Sequence, residues 1–191
     1  MRATAVFCAM ITVLPVSTRA ATPPATTKDQ TLQDVGDGVA VALPLVAGGI
    51  SLYKRDWNGV GRLVVVTGAT VGTSFLVSRF VKEERPYCKG EPGCDDRSFP
   101  SDTAALAFAP AQYLWDRYGW EYGVPAYAAA GFAGATRVIS GEHRVWDVAA
   151  SGVISWAYNA LITKRYREPD NIVSGIYASP RGAMLALNYR W

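Results

Sequence analysis

Histidine, cysteine and clustered charge are scarce in this chain: its 191 residues hold one histidine and three cysteines, and charged residues make up 18% of the total. Two cysteines beyond the leader and one distant histidine do not match the ligand spacing of a zinc site, so no metal is expected. The net charge of +3 and pI of 8.8 come without a Lys/Arg-rich run or an aromatic-interleaved basic stripe, which argues against nucleic acid as a partner. No internal repeat or low-complexity tract is present. What the chain has in quantity is apolar surface, at 50% of residues, in a length that fits one domain.

Residues 1–20 carry Arg2, an apolar stretch from Ala3 to Val16, and the small residues Thr18 and Ala20. This reads as an export signal cleaved after Ala20, or as an uncleaved first membrane helix. Either places residue 25 on the far side of the membrane. A polar linker, 21–34, follows. Cys8 falls in the leader, leaving Cys88 and Cys94 as a pair in a loop with Gly and Pro turn residues. In an exported protein that pair is a candidate disulfide, the other reading being two unpaired thiols.

Five apolar stretches come next: Val35 to Tyr53, Leu63 to Val81, Thr103 to Leu114, Tyr122 to Ile139, and Val148 to Thr163. The first two are long enough to span a bilayer. The last three are rich in Ala, Gly and aromatics, and small residues such as Gly131, Gly134 and Ala135 favour close helix packing in lipid. The mean hydropathy of +0.07 also keeps a soluble or peripheral bundle in play. Threading these spans from an external residue 25 puts the Cys88–Ser101 loop and His143 outside, and Lys54, Arg55, Arg117 and Lys164–Arg167 inside. Lys and Arg divide almost evenly between the two sides, so the rule that cytoplasmic loops are basic adds nothing. After Pro169, Ile172 to Ala178 and Ala183 to Trp191 flank Ser179-Pro180-Arg181-Gly182 and read as a β-hairpin.

The lone histidine lies in Thr136-Arg137-Val138-Ile139-Ser140-Gly141-Glu142-His143-Arg144-Val145-Trp146-Asp147. Arg137 supplies a permanent planar cation that grips two oxygens, His143 a nucleophile, and Asp147, one helical turn on, a group to orient the ring. Phosphoryl transfer needs such groups, because charge spreads over the equatorial oxygens in the transition state. Arg85-Pro86 closes one apolar run, and Ser98-Phe99-Pro100-Ser101 opens the next as a helix start whose hydroxyl and free N–H groups suit an anion or a simple cap.

This order of motifs, over roughly residues 60 to 163, resembles the type 2 phosphatidic acid phosphatase family, which takes in bacterial acid phosphatases and vanadium haloperoxidases. The resemblance implies an all-α, membrane-embedded bundle of five to six helices (35–166) with a short hairpin-like tail (167–191). It also implies catalysis by His143 and Asp147 through a phosphohistidine, and a phosphate clamp of Arg85, Ser101 and Arg137, with no cofactor.

The chain departs from the family pattern in its first two motifs. The family's lysine, seven positions before the arginine of the arginine-proline pair, is Ser78 here, with Lys82 or Arg79 as substitutes. The serine before the second arginine is Thr136. Where the family has proline-serine-glycine-histidine, this chain has Pro100-Ser101-Asp102-Thr103, and the lost histidine is the family's general acid. General acid assistance contributes roughly 10² to 10⁴ in rate, most for poor leaving groups, so its loss shifts the expected substrate towards diphosphates. Asp102 at a helix start is expected to be ionised. The expected function is removal of phosphate from a lipid phosphate or diphosphate at the periplasmic face of a bacterial inner membrane, with a soluble periplasmic phosphatase as the variant. The alternative is an impaired family member that binds phosphorylated lipid without turnover.

Overall fold

The computed structural model describes residues 27–88, 95–167, 172–179 and 182–189. Five helices carry the fold: α1 (Thr27–Tyr53), α2 (Trp57–Phe80), α3 (Asp102–Tyr118), α4 (Trp120–Ile139) and α5 (Val145–Ile162). Each coincides with one of the five apolar stretches, and the expected all-α bundle is what forms. The leader 1–20 lies outside the described residues. The α1 helix begins at Thr27, inside the segment read as a polar linker. Its polar first turns find partners at the end of α4, where Gln33 donates to Glu142 and Asp37 accepts from Arg137.

Helix α3 is central and touches α1, α2, α4 and α5. Ala104, Ala105, Ala107, Ala109 and Ala111 are fully buried along it, and side chains this small let neighbouring backbones approach closely. The same economy holds where α1 meets α4: a Cβ at Gly36 would lie 1.9 Å from Thr136 Oγ1, so only glycine fits. Helix α5 packs on α3 through a polar stripe at four-residue spacing, Asp147, Ser151, Ser155 and Asn159, all buried. Ser151 Oγ donates to Ser101 O at 2.8 Å and Asn159 Nδ2 to Ala109 O at 3.1 Å, fixing α5 in register on α3.

The segments Gln30–Tyr53 and Trp57–Phe80 are long and apolar enough to cross a membrane, and only 28% and 22% of their apolar windows are buried. A core helix of a soluble protein buries its apolar face. These expose theirs, at Leu45, Val46, Val64, Val65 and Leu76 among others.

Strands β1 (Ile172–Ser179) and β2 (Gly182–Tyr189) form an antiparallel hairpin, paired from Ile172 with Tyr189 to Ser179 with Gly182. This is the hairpin expected around Ser179-Pro180-Arg181-Gly182, of which Pro180 and Arg181 lie outside the described residues.

Candidate active site

His143 and Arg137 are six residues apart, and a backbone turn holds them together. After α4 the chain folds back so that both Glu142 N and His143 N donate to Arg137 O at 3.1 Å. Gly141 makes the turn with φ +73, a conformation that favours glycine. The loop after α2 docks on this turn through Tyr87 N donating to Gly141 O at 3.2 Å, which carries Arg85-Pro86 to the same place.

The His143 ring is buried, 4% exposed, with Nδ1 2.7 Å from Ser98 O. A carbonyl only accepts, so Nδ1 carries the proton and Nε2 presents its lone pair. Asp147 is fully buried. Its Oδ2 accepts from Ser98 Oγ at 2.6 Å and Arg144 N at 2.8 Å, and lies 3.7 Å from His143 Nδ1. At 3.7 Å the carboxylate acts on the ring as a neighbouring charge, while the Ser98 carbonyl makes the hydrogen bond. Burial pushes the Asp147 carboxyl up, but His143 and the Ser98 hydroxyl outweigh this and hold it below the ordinary carboxylate range.

Both arginines converge on one carboxylate that the motif reading did not single out. Arg85 Nη1 bonds Glu142 Oε2, and Arg137 Nη2 lies 3.9 Å from the same oxygen. Each is also held from outside: Arg85 by Asp95 at 3.2 Å, and Arg137 by both oxygens of Asp37 at 3.0 and 3.2 Å. Burial raises the Asp95 carboxyl, yet the Arg85 and Arg97 guanidinium groups bring it below its usual value. Arg137 Nε is buried with no partner among the described residues, as is Asp147 Oδ1.

Ser101 is buried and caps α3, its Oγ accepting from Ala104 N at 3.3 Å while its own N–H donates to Asp147 O. It thus anchors the start of α3 to the start of α5. Asp102, the next residue, precedes the apolar stretch beginning at Thr103. The Asp102 side chain is exposed, and partial desolvation raises its carboxyl from the ordinary value, opposite in direction to the helix-start effect, while His143 and Arg85 pull it down.

Lys82 is exposed and makes no hydrogen bond or ion pair among the described residues. Ser78, at the family's lysine position, is buried and donates to Phe75 O, while the Arg79 guanidinium sits over the Phe75 ring at 4.7 Å. Cys88 is buried and in a disulfide, and Cys94 lies outside the described residues. No group of three metal-ligating side chains occurs among the described residues.

Glu142, Asp37, Asp95 and Ser98 are the site's contributors that spacing did not reveal. Glu142, adjacent to the histidine, carried a signal in retrospect, since a carboxylate between two candidate phosphate ligands must pair with them or repel the substrate. A groove of about 330 Å³ also runs between α1 and α4, lined by Val39, Leu43, Val46, Ile50, Ala126 and Ala129 among others. Its α1 wall, Val39 to Ile50, extends about 16 Å along the helix axis and starts within a turn of Asp37.

No family model matches the chain. The crystal structure of LpxE from Aquifex aeolicus superposes with a TM-score of 0.51 over 70% of this chain and 91% of that one, at 18% identity, which establishes a common fold. In sequence, the lipid A 4'-phosphatase of Helicobacter pylori strain J99 is 33% identical over 142 residues, covering 71% of each chain. The chain belongs to the type 2 phosphatidic acid phosphatase superfamily. Within that class it stands in the family of the lipid A 4'-phosphatase.

Proposed function

We propose that this protein is a membrane-embedded lipid phosphatase that removes a phosphate monoester through a phosphohistidine at His143, on the periplasmic side. The observation that carries the reading is the convergence of Arg85 and Arg137 on one oxygen beside a histidine whose Nδ1 is held by a carbonyl. A phosphate in place of the Glu142 carboxylate would meet both guanidinium groups, and its oxygens would answer the unpartnered Arg137 Nε. Attack by Nε2 forms the N–P bond as the bond to the lipid oxygen breaks. Asp102, with its raised carboxyl at the start of α3, donates the proton that the leaving alkoxide takes up. Water then hydrolyses the phosphohistidine, and Asp102 as carboxylate receives its proton. Given the named relative, the phosphate of lipid A is the first substrate to test, and the α1–α4 groove suits one of its acyl chains, at roughly the depth of one leaflet of a ~30 Å hydrocarbon core.

A second reading, binding without turnover, draws on Thr103 at the family's general-acid position and on Glu142 occupying the arginine pair. Purified protein incubated with lipid A, beside a His143→Ala control, decides between them. Phosphate release and an acid-labile phosphoryl group lost in the control are expected. Lipid A bound by the wild type with neither signal would establish the second reading.

A further inference from the structure

A second charged pocket lies at the opposite end of the bundle from His143. It has a volume of about 480 Å³, and its cations are Arg55, Arg62, Arg117, Lys164, Arg165 and Arg167. Its carboxylate, Asp56, is already spoken for: Arg117 Nε and Nη2 hold its two oxygens at 2.7 and 2.6 Å. The remaining cations form no ion pair with a carboxylate among the described residues. A concave surface with that excess of positive charge is electrostatically unfavourable unless an anion occupies it.

The wall that carries Lys164, Arg165 and Arg167 is fixed in place. Arg117 Nη1 donates to Lys164 O at 2.6 Å, Tyr166 N to Arg117 O at 2.8 Å, and Tyr166 Oη to Lys54 O at 3.1 Å. Arg165 lies against Gly119, its Nη2 2.8 Å from the position a Cβ would take, and Gly119 has φ +101. The segment after α5 is therefore a built part of the pocket, which a merely orienting string of basic residues has no need to be.

Depth identifies the kind of anion. Along α3, from Ser101 at the His143 end to Arg117, the rise is about 24 Å, close to the ~30 Å of a hydrocarbon core. Tyr53, Trp57 and Trp120 are exposed around the Arg117 end, and aromatic residues of this kind collect at the level of lipid headgroups. We propose that this pocket binds the phosphate headgroup of an anionic phospholipid, in the leaflet opposite the His143 end. The inference stands apart from the catalytic reading and survives its failure.

The full chain, delipidated in neutral detergent, is titrated with phosphatidylglycerol, phosphatidylcholine or inorganic phosphate and followed by native mass spectrometry and melting temperature. Retention of one phosphatidylglycerol with a raised melting temperature, falling with added salt, is expected. Phosphatidylcholine should do neither, and any stabilisation by inorganic phosphate should persist in the variant described next, since the His143 end also offers a phosphate site. In the combined Lys164→Gln, Arg165→Gln, Arg167→Gln variant, phosphatidylglycerol binding should weaken by on the order of tenfold or more, since each surface cation contributes about a fivefold factor. Should that variant fail to fold, Arg55→Gln alone must still weaken binding severalfold. Equal retention by folded variant and wild type, equal retention of phosphatidylcholine, or a stabilisation by inorganic phosphate of the same size that the variant also loses would each overturn the proposal.

Discussion

Glu142 bonds Arg85 through the same carboxylate oxygen that lies 3.9 Å from Arg137. On the proposed reading a substrate phosphate takes the place of this carboxylate, so binding exchanges one anion for another. Glu142→Gln keeps the shape and removes the competing charge. It should lower the inhibition constant of orthovanadate severalfold, equivalent to about 1 kcal/mol, below the ~1.5–3 kcal/mol of a charged hydrogen bond because Asp95 and Asp37 still hold the arginines. Unchanged or weaker vanadate inhibition would show that Glu142 assists binding.

Asp102 directly precedes Thr103, the position at which the family has its acid histidine, and partial desolvation raises the Asp102 carboxyl. An acid must be protonated to act, so activity on alkyl phosphates should be retained until pH rises through this raised pKa and then fall. Asp102→Asn should slow alkyl phosphate hydrolysis by about 10²-fold or more, remove that alkaline limb, and affect p-nitrophenyl phosphate far less, since its leaving group needs little protonation. An equal loss on both substrates would sink the assignment.

The Asp56–Arg117 pair is buried, with Tyr118 Oη and Gly59 N also bonded to the carboxylate. Asp56→Ala should destabilise the bundle by about 3–5 kcal/mol, because it leaves the Arg117 guanidinium buried and unpaired. Burial alone would raise the Asp56 carboxyl, but the Arg117 hydrogen bonds bring it below its ordinary value. A depressed carboxyl adds stability above its unfolded pKa and loses it only as pH falls through the folded one. Melting temperature should therefore keep this contribution down to about pH 4, the ordinary carboxylate value, and lose it below. A drop in melting temperature between pH 7 and 5 that Asp56→Ala abolishes would contradict this.

The groove between α1 and α4 has a volume of about 330 Å³, much of which one large side chain would take up. Ala129→Trp should reduce hydrolysis of lipid A by about tenfold or more while leaving a short-chain phosphate ester nearly unaffected, since on the proposed reading only the former places a chain against Ala129. Equal effects on both would locate the chain elsewhere.

Much of this architecture was legible as pattern. The five apolar stretches became five helices because the sequence alternates stretches that only a helix can satisfy in lipid with short polar breaks. Ser101, Arg137, His143 and Asp147 could be placed at or next to helix ends, where local spacing fixes position. The partners could not. Ser98 orients His143 across 45 positions, Asp37 reaches Arg137 across 100, and Asp56 meets Arg117 across 61. Such pairings are decided by helix packing, which periodicity does not encode. Asp37 lies within an apolar stretch, and nothing in its sequence neighbours points to Arg137.

The proposed use of the α1–α4 groove by an acyl chain has one further consequence, for kinetics. Leu45, Val46 and Val124 are exposed beside it, so an acyl chain can slide in sideways without passing through water. The cost of extracting each methylene, about 0.8 kcal/mol, then never enters the activation barrier. Encounter happens in two dimensions, and the concentration that governs it is the mole fraction of substrate among its neighbours in the film. Diluting lipid A with inert detergent at constant bulk concentration slows such a protein, whereas one that drew its substrate from solution would turn over as before.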